Sequence, residues 1–236
     1  MRFASEATLA SGSADEAERR LRALDADPSV DAVIVEHPLP PPLDFRRLVD
    51  QLRPEKDVDG VGTDSLGRLV TRRPGHAPAV ARAAIDVARH YRLPLSGERV
   101  VVIGRSETVG LPLAILLLGR GEGADATVTV AHAKSRSLRE ALLGARVVFS
   151  CVGRPNLLDR TNVPEGAAVI DVGLSSVADP SRPGGQRAVG DANAEALDGW
   201  ASALTPVPGG VGAVTVAELL AATVRAAEWA VDGGLR

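Results

Sequence analysis

The sequence predicts an α/β protein centred on a parallel sheet with right-handed crossovers. Three observations carry that expectation. Short apolar, largely β-branched runs recur almost without charge: VVVI at 100–103, ATVTVA at 126–131, VVFSCV at 147–152 and AAVIDV at 167–172. Strands covered on both faces read this way. Segments of helical period alternate with them between residues 78 and 231. Finally, the run at 100–103 passes through Gly104 and Gly110 into the apolar stretch 111–118. Strand, glycine turn and helix N-terminus together hold a phosphate on free N–H groups and the helix dipole.

Taken in order, residues 1–12 read as a short strand and loop. Ser13 and Glu16 form a capping box that opens a helix over 17–24. VDAVIV at 30–35 reads as a buried strand, and Glu36, His37, Pro38 and the prolines that follow end it in a rigid loop. Residues 45–52 form a short helix. PEKDVDG at 54–60 reads as a surface turn in which Asp57 is structural, and 62–75 as loop. A helix spans 78–91. After the organising turn and its helix comes the strand 126–131, followed by His132, Lys134, Ser135 and Arg136 with no acidic residue before Leu138. The end of a second strand is where a dinucleotide's adenosine ribose is read, and basic groups there suit a 2′-phosphate. A helix covers 138–143, and the strand at 147–152 ends in Gly153-Arg154-Pro155. Cys151 near that end reads as a small buried hydrophobe, and Glu107 in the turn is expected to point outward. The strand at 167–172 ends in Gly173, 175–186 is a mobile Pro/Gly/Ser loop, and a last helix runs over 215–231 from a Thr215 N-cap.

Composition narrows the function. Of 236 residues, 45% are hydrophobic and 24% charged, with a net charge of -3. No basic footprint points to nucleic acid, and aromatics at 3% give little to stack bases on. The single cysteine excludes a disulfide framework and a cysteine-rich metal site. No apolar run reaches the roughly 20 residues of a membrane span, and the first residues show no signal core, so a cytoplasmic protein is expected. Among 27 basic residues only Lys56 and Lys134 are lysines, which leaves two candidates for amine chemistry.

Several segments, weak singly, occur together: VEHPLP (35–40), PEKDVDG with GRL after it (54–60, 67–69), GRSETVGLP (104–112), ATVTVAH (126–132), VGRPN (152–156), AAVIDVGL (167–174), VGD (189–191) and TPVPGGVGAVTVAELL (205–220). On these the chain resembles the bifunctional methylenetetrahydrofolate dehydrogenase/methenyltetrahydrofolate cyclohydrolases. The resemblance implies a Rossmann-like doubly wound parallel sheet domain over 78–212 that binds NADP, or NAD. It also implies a smaller, truncated α/β substrate domain over 1–77, with 213–236 a helix packing back on it. A folate-type substrate, no metal and a homodimer are implied as well. Asp59 would hold the pterin and, with Glu36, carry catalysis. Pro38, Pro206, Pro208, Gly209 and Gly210 would line the folate. The cofactor would lie on Gly104, Arg105, Ser106, Val109 and Gly110 of the turn, on His132, Lys134 and Ser135, on Val152, Gly153 and Arg154, and on Asp171 and Gly173.

The chain also departs from the family pattern. The segment that carries the family's catalytic lysine has no counterpart here, and Glu36 stands where the family has a glutamine. Residues 74–78 lack the family's cysteine and threonine, Ala213 replaces a proline, and Ala133 replaces a serine. Hydride transfer requires mainly two molecules held at close range, whereas adding water to a methenyl group requires proton management. A dehydrogenase with doubtful cyclohydrolase activity is the leading expectation. A divergent enzyme using Glu36, His37 and His76 as new acid/base groups, and a non-catalytic nucleotide-binding subunit, stay open at this point.

Overall fold

The computed structural model of the chain describes residues 13–36 and 38–232. The strand expected within 1–12 and His37 lie outside the described residues. In chain order the elements are α1 (Ala14–Ala26), α2 (Phe45–Val49), α3 (Thr63–Thr71), α4 (Ala79–His90), β1 (Arg99–Ile103), α5 (Gly110–Leu117), β2 (Thr127–Ala131), α6 (Leu138–Leu142), β3 (Val147–Ser150), β4 (Ala168–Asp171), β5 (Ser175–Ala178), β6 (Gln186–Val189), α7 (Ala194–Leu197), β7 (Ala203–Leu204) and α8 (Val211–Asp232). They fall into two compact units, one of Met1–His76 with Ala222–Arg236 and one of Ala77–Ala221.

The larger unit is a five-stranded parallel sheet in the order β2-β1-β3-β4-β7. Alternation along β1 shows why its sequence is apolar throughout. Val100 and Val102 pack against α4, α5 and the start of α8, whereas Val101 and Ile103 face α6 and the Leu158–Leu197 side. Successive side chains point to opposite faces, and both faces are covered. Phe149 and Ile170 continue the first layer, Val148 and Val169 the second. This is the doubly wound arrangement expected from the strand pattern.

The smaller unit opens with the expected cap: Ser13 accepts the Glu16 N–H at 3.2 Å. The strand expected at 30–35 is reduced to one parallel bridge, Val33 with Asp57, because no longer ladder pairs with it among the described residues. Val58 packs with Ala32, Ala222 and Ala226.

Four further expectations are corrected. Residues 62–75 hold α3, whose first donors are satisfied from elsewhere in the chain: the Gly62 N–H by Asp57 and the Thr63 N–H by Asp50, both at 2.8 Å. Residues 54–60 are no surface turn, since Lys56, Asp57 and Val58 are buried. The loop at 175–186 contains a hairpin, β5 antiparallel to β6. Its strands are largely exposed and lack the apolar alternation that marks a half-buried strand. Finally, α8 begins at Val211, one turn before the expected Thr215 cap. The Thr215 hydroxyl donates to the Val211 carbonyl at 3.0 Å and so sits comfortably inside the helix.

Candidate functional site

The chain leaves β1 to one side for β2 and then crosses to the other for β3. The switch point therefore lies between the carboxyl ends of β1 and β3, where open α/β sheets bind ligands. Gly104 continues the ladder, its N–H donating to the Ala131 carbonyl at 2.8 Å, and then turns with φ +114°. A Cβ there would stand 2.7 Å from the Cys151 carbonyl oxygen, and one on Gly110 would overlap the Gly104 carbonyl. Backbone thus meets backbone at both glycines, and no side chain fits.

Within the turn, the Ser106 hydroxyl accepts the Gly110 N–H at 3.3 Å and the Ser106 carbonyl accepts the Leu111 N–H at 3.0 Å. Ser106, in the place of the fingerprint's second glycine, braces the start of α5. Among the described residues no acceptor takes the N–H of Arg105, Ser106 or Thr108. Arg105, Ser106 and Glu107 are exposed and Val109 is half-buried. Outward donors at the positive end of an eight-residue helix fit a dinucleotide's diphosphate.

The end of β2 closes into a tight turn. The Ser135 hydroxyl accepts the His132 N–H at 2.9 Å, and His132 Nδ1 accepts the Lys134 N–H at 3.1 Å, which leaves the ring proton on Nε2. The Lys134 and Arg136 side chains are exposed beside this turn. Two exposed cations here suit a 2′-phosphate.

Beyond β3, Val152, Gly153 and Arg154 form an exposed loop. Burial, followed by the charges of Asp191 and Asp171, pushes the Cys151 thiol far up. It stays protonated and behaves as the small hydrophobe expected. Asp171 is 2% exposed, and its carboxylate accepts the Gly173 N–H at 2.9 Å and the Ala192 N–H at 2.8 Å. Burial raises its pKa, and these backbone donors pull against the rise. It was expected as a cofactor ligand, but its carboxylate is occupied within the protein and ties loops together. Asp191, in the VGD segment and not among the expected site residues, is equally buried. Pro206, Pro208, Gly209 and Gly210 follow β7 in the same unit, the first three exposed.

The remaining candidates belong to the smaller unit. Glu36 and Pro38 are exposed and Asp59 is half-buried. Asp59 sits in a turn organised by Asp57, whose buried carboxylate accepts the N–H groups of Gly60 (3.1 Å), Val61 (3.4 Å) and Gly62 (2.8 Å) and the Ser65 hydroxyl (2.6 Å). Asp57 is structural, as expected, but inside the protein. Lys56 Nζ donates to the carbonyls of Leu24 (3.2 Å) and Asp27 (2.6 Å) at the end of α1. His76, considered as an open acid/base group, is 3% exposed. Its Nε2 lies 3.1 Å from the Glu55 carbonyl, and its ring packs 5.9 Å from Trp229. It is a core histidine.

Comparison with known proteins finds the same pattern. Residues 78–231 match the tetrahydrofolate dehydrogenase/cyclohydrolase NAD(P)-binding domain, and residues 1–59 match the catalytic domain of the same family. The bifunctional protein FolD of Maridesulfovibrio salexigens is 40% identical over 217 residues, 92% of this chain and 73% of that protein. Among solved structures, the Trypanosoma brucei methylenetetrahydrofolate dehydrogenase-cyclohydrolase, complexed with NADP and an inhibitor, superposes with a TM-score of 0.86 at 36% identity, covering 94% of this chain and 74% of that one. A 5,10-methylenetetrahydrofolate dehydrogenase from the silkworm gives a TM-score of 0.85 at 34% identity, over 93% of this chain and 75% of that one.

Proposed function

The chain belongs to the tetrahydrofolate dehydrogenase/cyclohydrolase family, and from that premise we propose how its residues divide the work. It is an NADP-dependent oxidoreductase of the methylenetetrahydrofolate dehydrogenase/cyclohydrolase type. NADP supplies the hydride acceptor. The observation that carries the reading is the backbone cradle of Gly104 and Gly110 at the switch point, with outward N–H donors beside it.

In this reading the 104–110 turn and the start of α5 hold the diphosphate. Lys134, with Arg105 and Arg136, answers the 2′-phosphate, and the 152–154 loop orients the bound dinucleotide. Asp59 grips the pterin, the 206–210 turn lies along the folate, and Glu36 is the further acidic group on the substrate side. Holding donor and acceptor in one orientation is the main contribution a protein makes to hydride transfer. Adding water to the methenyl product needs a group that handles a proton. Lys56 is occupied by α1 carbonyls and Lys134 stands at the end of β2, so neither described lysine is placed to be that group.

The reading is tested by mixing the chain with 5,10-methylenetetrahydrofolate and NADP, then NAD, and following the reduced-nicotinamide absorbance. Reduction with NADP is expected. No reduction, with cofactor bound, overturns the dehydrogenase assignment. We further infer a homodimer in the cytoplasm. The family resemblance supports the dimer, and light scattering checks it. No described helix is long and apolar enough to cross a membrane.

A further inference from the structure

Asp191 is 0% exposed, and the division of work above gives it no task. Its Oδ2 accepts the Ser150 hydroxyl at 2.7 Å and the Val152 N–H at 3.0 Å, and its Oδ1 accepts the Arg154 N–H at 2.6 Å. One carboxylate thus holds three donors from a single strand end and the loop that follows it. From another element, the Ser175 hydroxyl donates to the Gly153 carbonyl at 2.8 Å. The loop at 152–154 is therefore anchored on both sides of Gly153, which takes φ +63° and lies exposed.

Two glycines make room for this arrangement. A Cβ on Gly173 would overlap the Asp191 carboxyl, and one on Gly190 would overlap that of Asp171. The DVG segment after β4 and the GD segment after β6 interlock, each glycine admitting the other segment's aspartate. The hairpin of β5 and β6 leaves and returns through this clasp, and its first residue, Ser175, supplies the loop's second anchor.

We propose that Asp191 is a positioning residue of the cofactor site: its buried carboxylate fixes the loop after β3 and so sets the orientation of the bound dinucleotide, without touching it. The proposal rests on the assignment of that loop to the cofactor. Asp191→Asn keeps the shape but offers one acceptor oxygen and turns an amide N–H toward a backbone donor, so the loop loses one of its anchors. Ser175→Ala removes the second anchor.

The test measures melting temperature, NADP affinity by titration, and KM for each substrate in the full chain and both variants. Asp191→Asn is expected to raise KM and the dissociation constant for NADP about tenfold, and Ser175→Ala about two- to threefold. KM for 5,10-methylenetetrahydrofolate stays at the parent value. A loss that falls equally on both substrates together with a lowered melting temperature marks a merely structural residue and overturns the proposal. If Asp191→Asn does not fold, an unchanged NADP affinity in Ser175→Ala overturns it. A parent chain that binds no NADP overturns the cofactor assignment itself, a result distinct from a parent that binds and variants that match it.

Discussion

Two turns in this protein begin helices in much the same way, and they end in opposite electrostatic states. The 104–110 turn leaves a strand and starts α5, and the 57–63 turn leaves a bridged segment and starts α3. Both are glycine-bearing and tightly wound. In the second, two carboxylates from the chain's own loops, Asp57 and Asp50, accept the donors at the helix start. In the first, the neutral Ser106 hydroxyl and carbonyl brace the helix start, and the N–H groups of Arg105, Ser106 and Thr108 meet no acceptor among the described residues. A helix N-terminus attracts anions in either case. Where the protein supplies the anion itself, the turn is structural. Where it supplies none, a phosphate can take the place.

The sharpest way to break this comparison is Gly110→Ala. The added methyl overlaps the Gly104 carbonyl, and the turn must open. NADP affinity should fall by about a hundredfold, as small misplacements at a site do, read by titration. Gly62→Ala in the other turn, whose Cβ would stand 3.0 Å from Asp57 Oδ2, should leave NADP affinity alone.

Next in size is Asp57→Ala. It strands three backbone donors and a hydroxyl in a buried turn. We expect a loss of about 2 kcal/mol in denaturant unfolding, from the cost of unpaired buried groups, and a weaker grip on folate through Asp59. Unchanged stability would show that Asp57 is not what shapes its turn.

A smaller effect separates the cofactors. Lys134→Gln should raise KM for NADP about tenfold, about 1.4 kcal/mol, and leave KM for NAD unchanged. Equal loss with both cofactors would remove Lys134 from the 2′-phosphate.

The smallest effect is in pH. Burial raises the Asp171 carboxyl above its ordinary value of 3.8, so the folded chain holds that proton more tightly than the unfolded one. Its contribution favours the fold fully below that ordinary value and is lost as pH rises through the raised one. The stability of the parent relative to Asp171→Asn should therefore decline with rising pH across that window. A flat difference in melting temperature from acid to neutral pH would contradict it.

Legibility in the sequence followed how local each cause was. The parallel sheet could be read because Val100 to Ile103 must satisfy two covered faces at once, and that leaves an unbroken apolar run. The cofactor turn could be read because Gly104 and Gly110 answer steric demands within seven residues of each other. α3 could not, because its donors are satisfied by Asp50 and Asp57, and no local pattern reports on that pairing. The hairpin after β4 could not, because its largely exposed strands carry no apolar alternation. His76 looked available as chemistry on a proline- and glycine-rich loop, and only packing against Trp229 shows that it is core.

By itself, then, the sequence determined the strand–turn–helix cradle, the basic end of β2 and the family's motifs in their order, since each is written in neighbouring residues. Tertiary structure alone decided which carboxylates face inward. Nothing in the neighbouring residues sets the carboxylates of Asp57, Asp171 and Asp191 apart from the chain's other aspartates. Burial makes an unpaired charge costly, so the fold brought backbone donors to each of the three, and that pairing fixed them as braces of their turns.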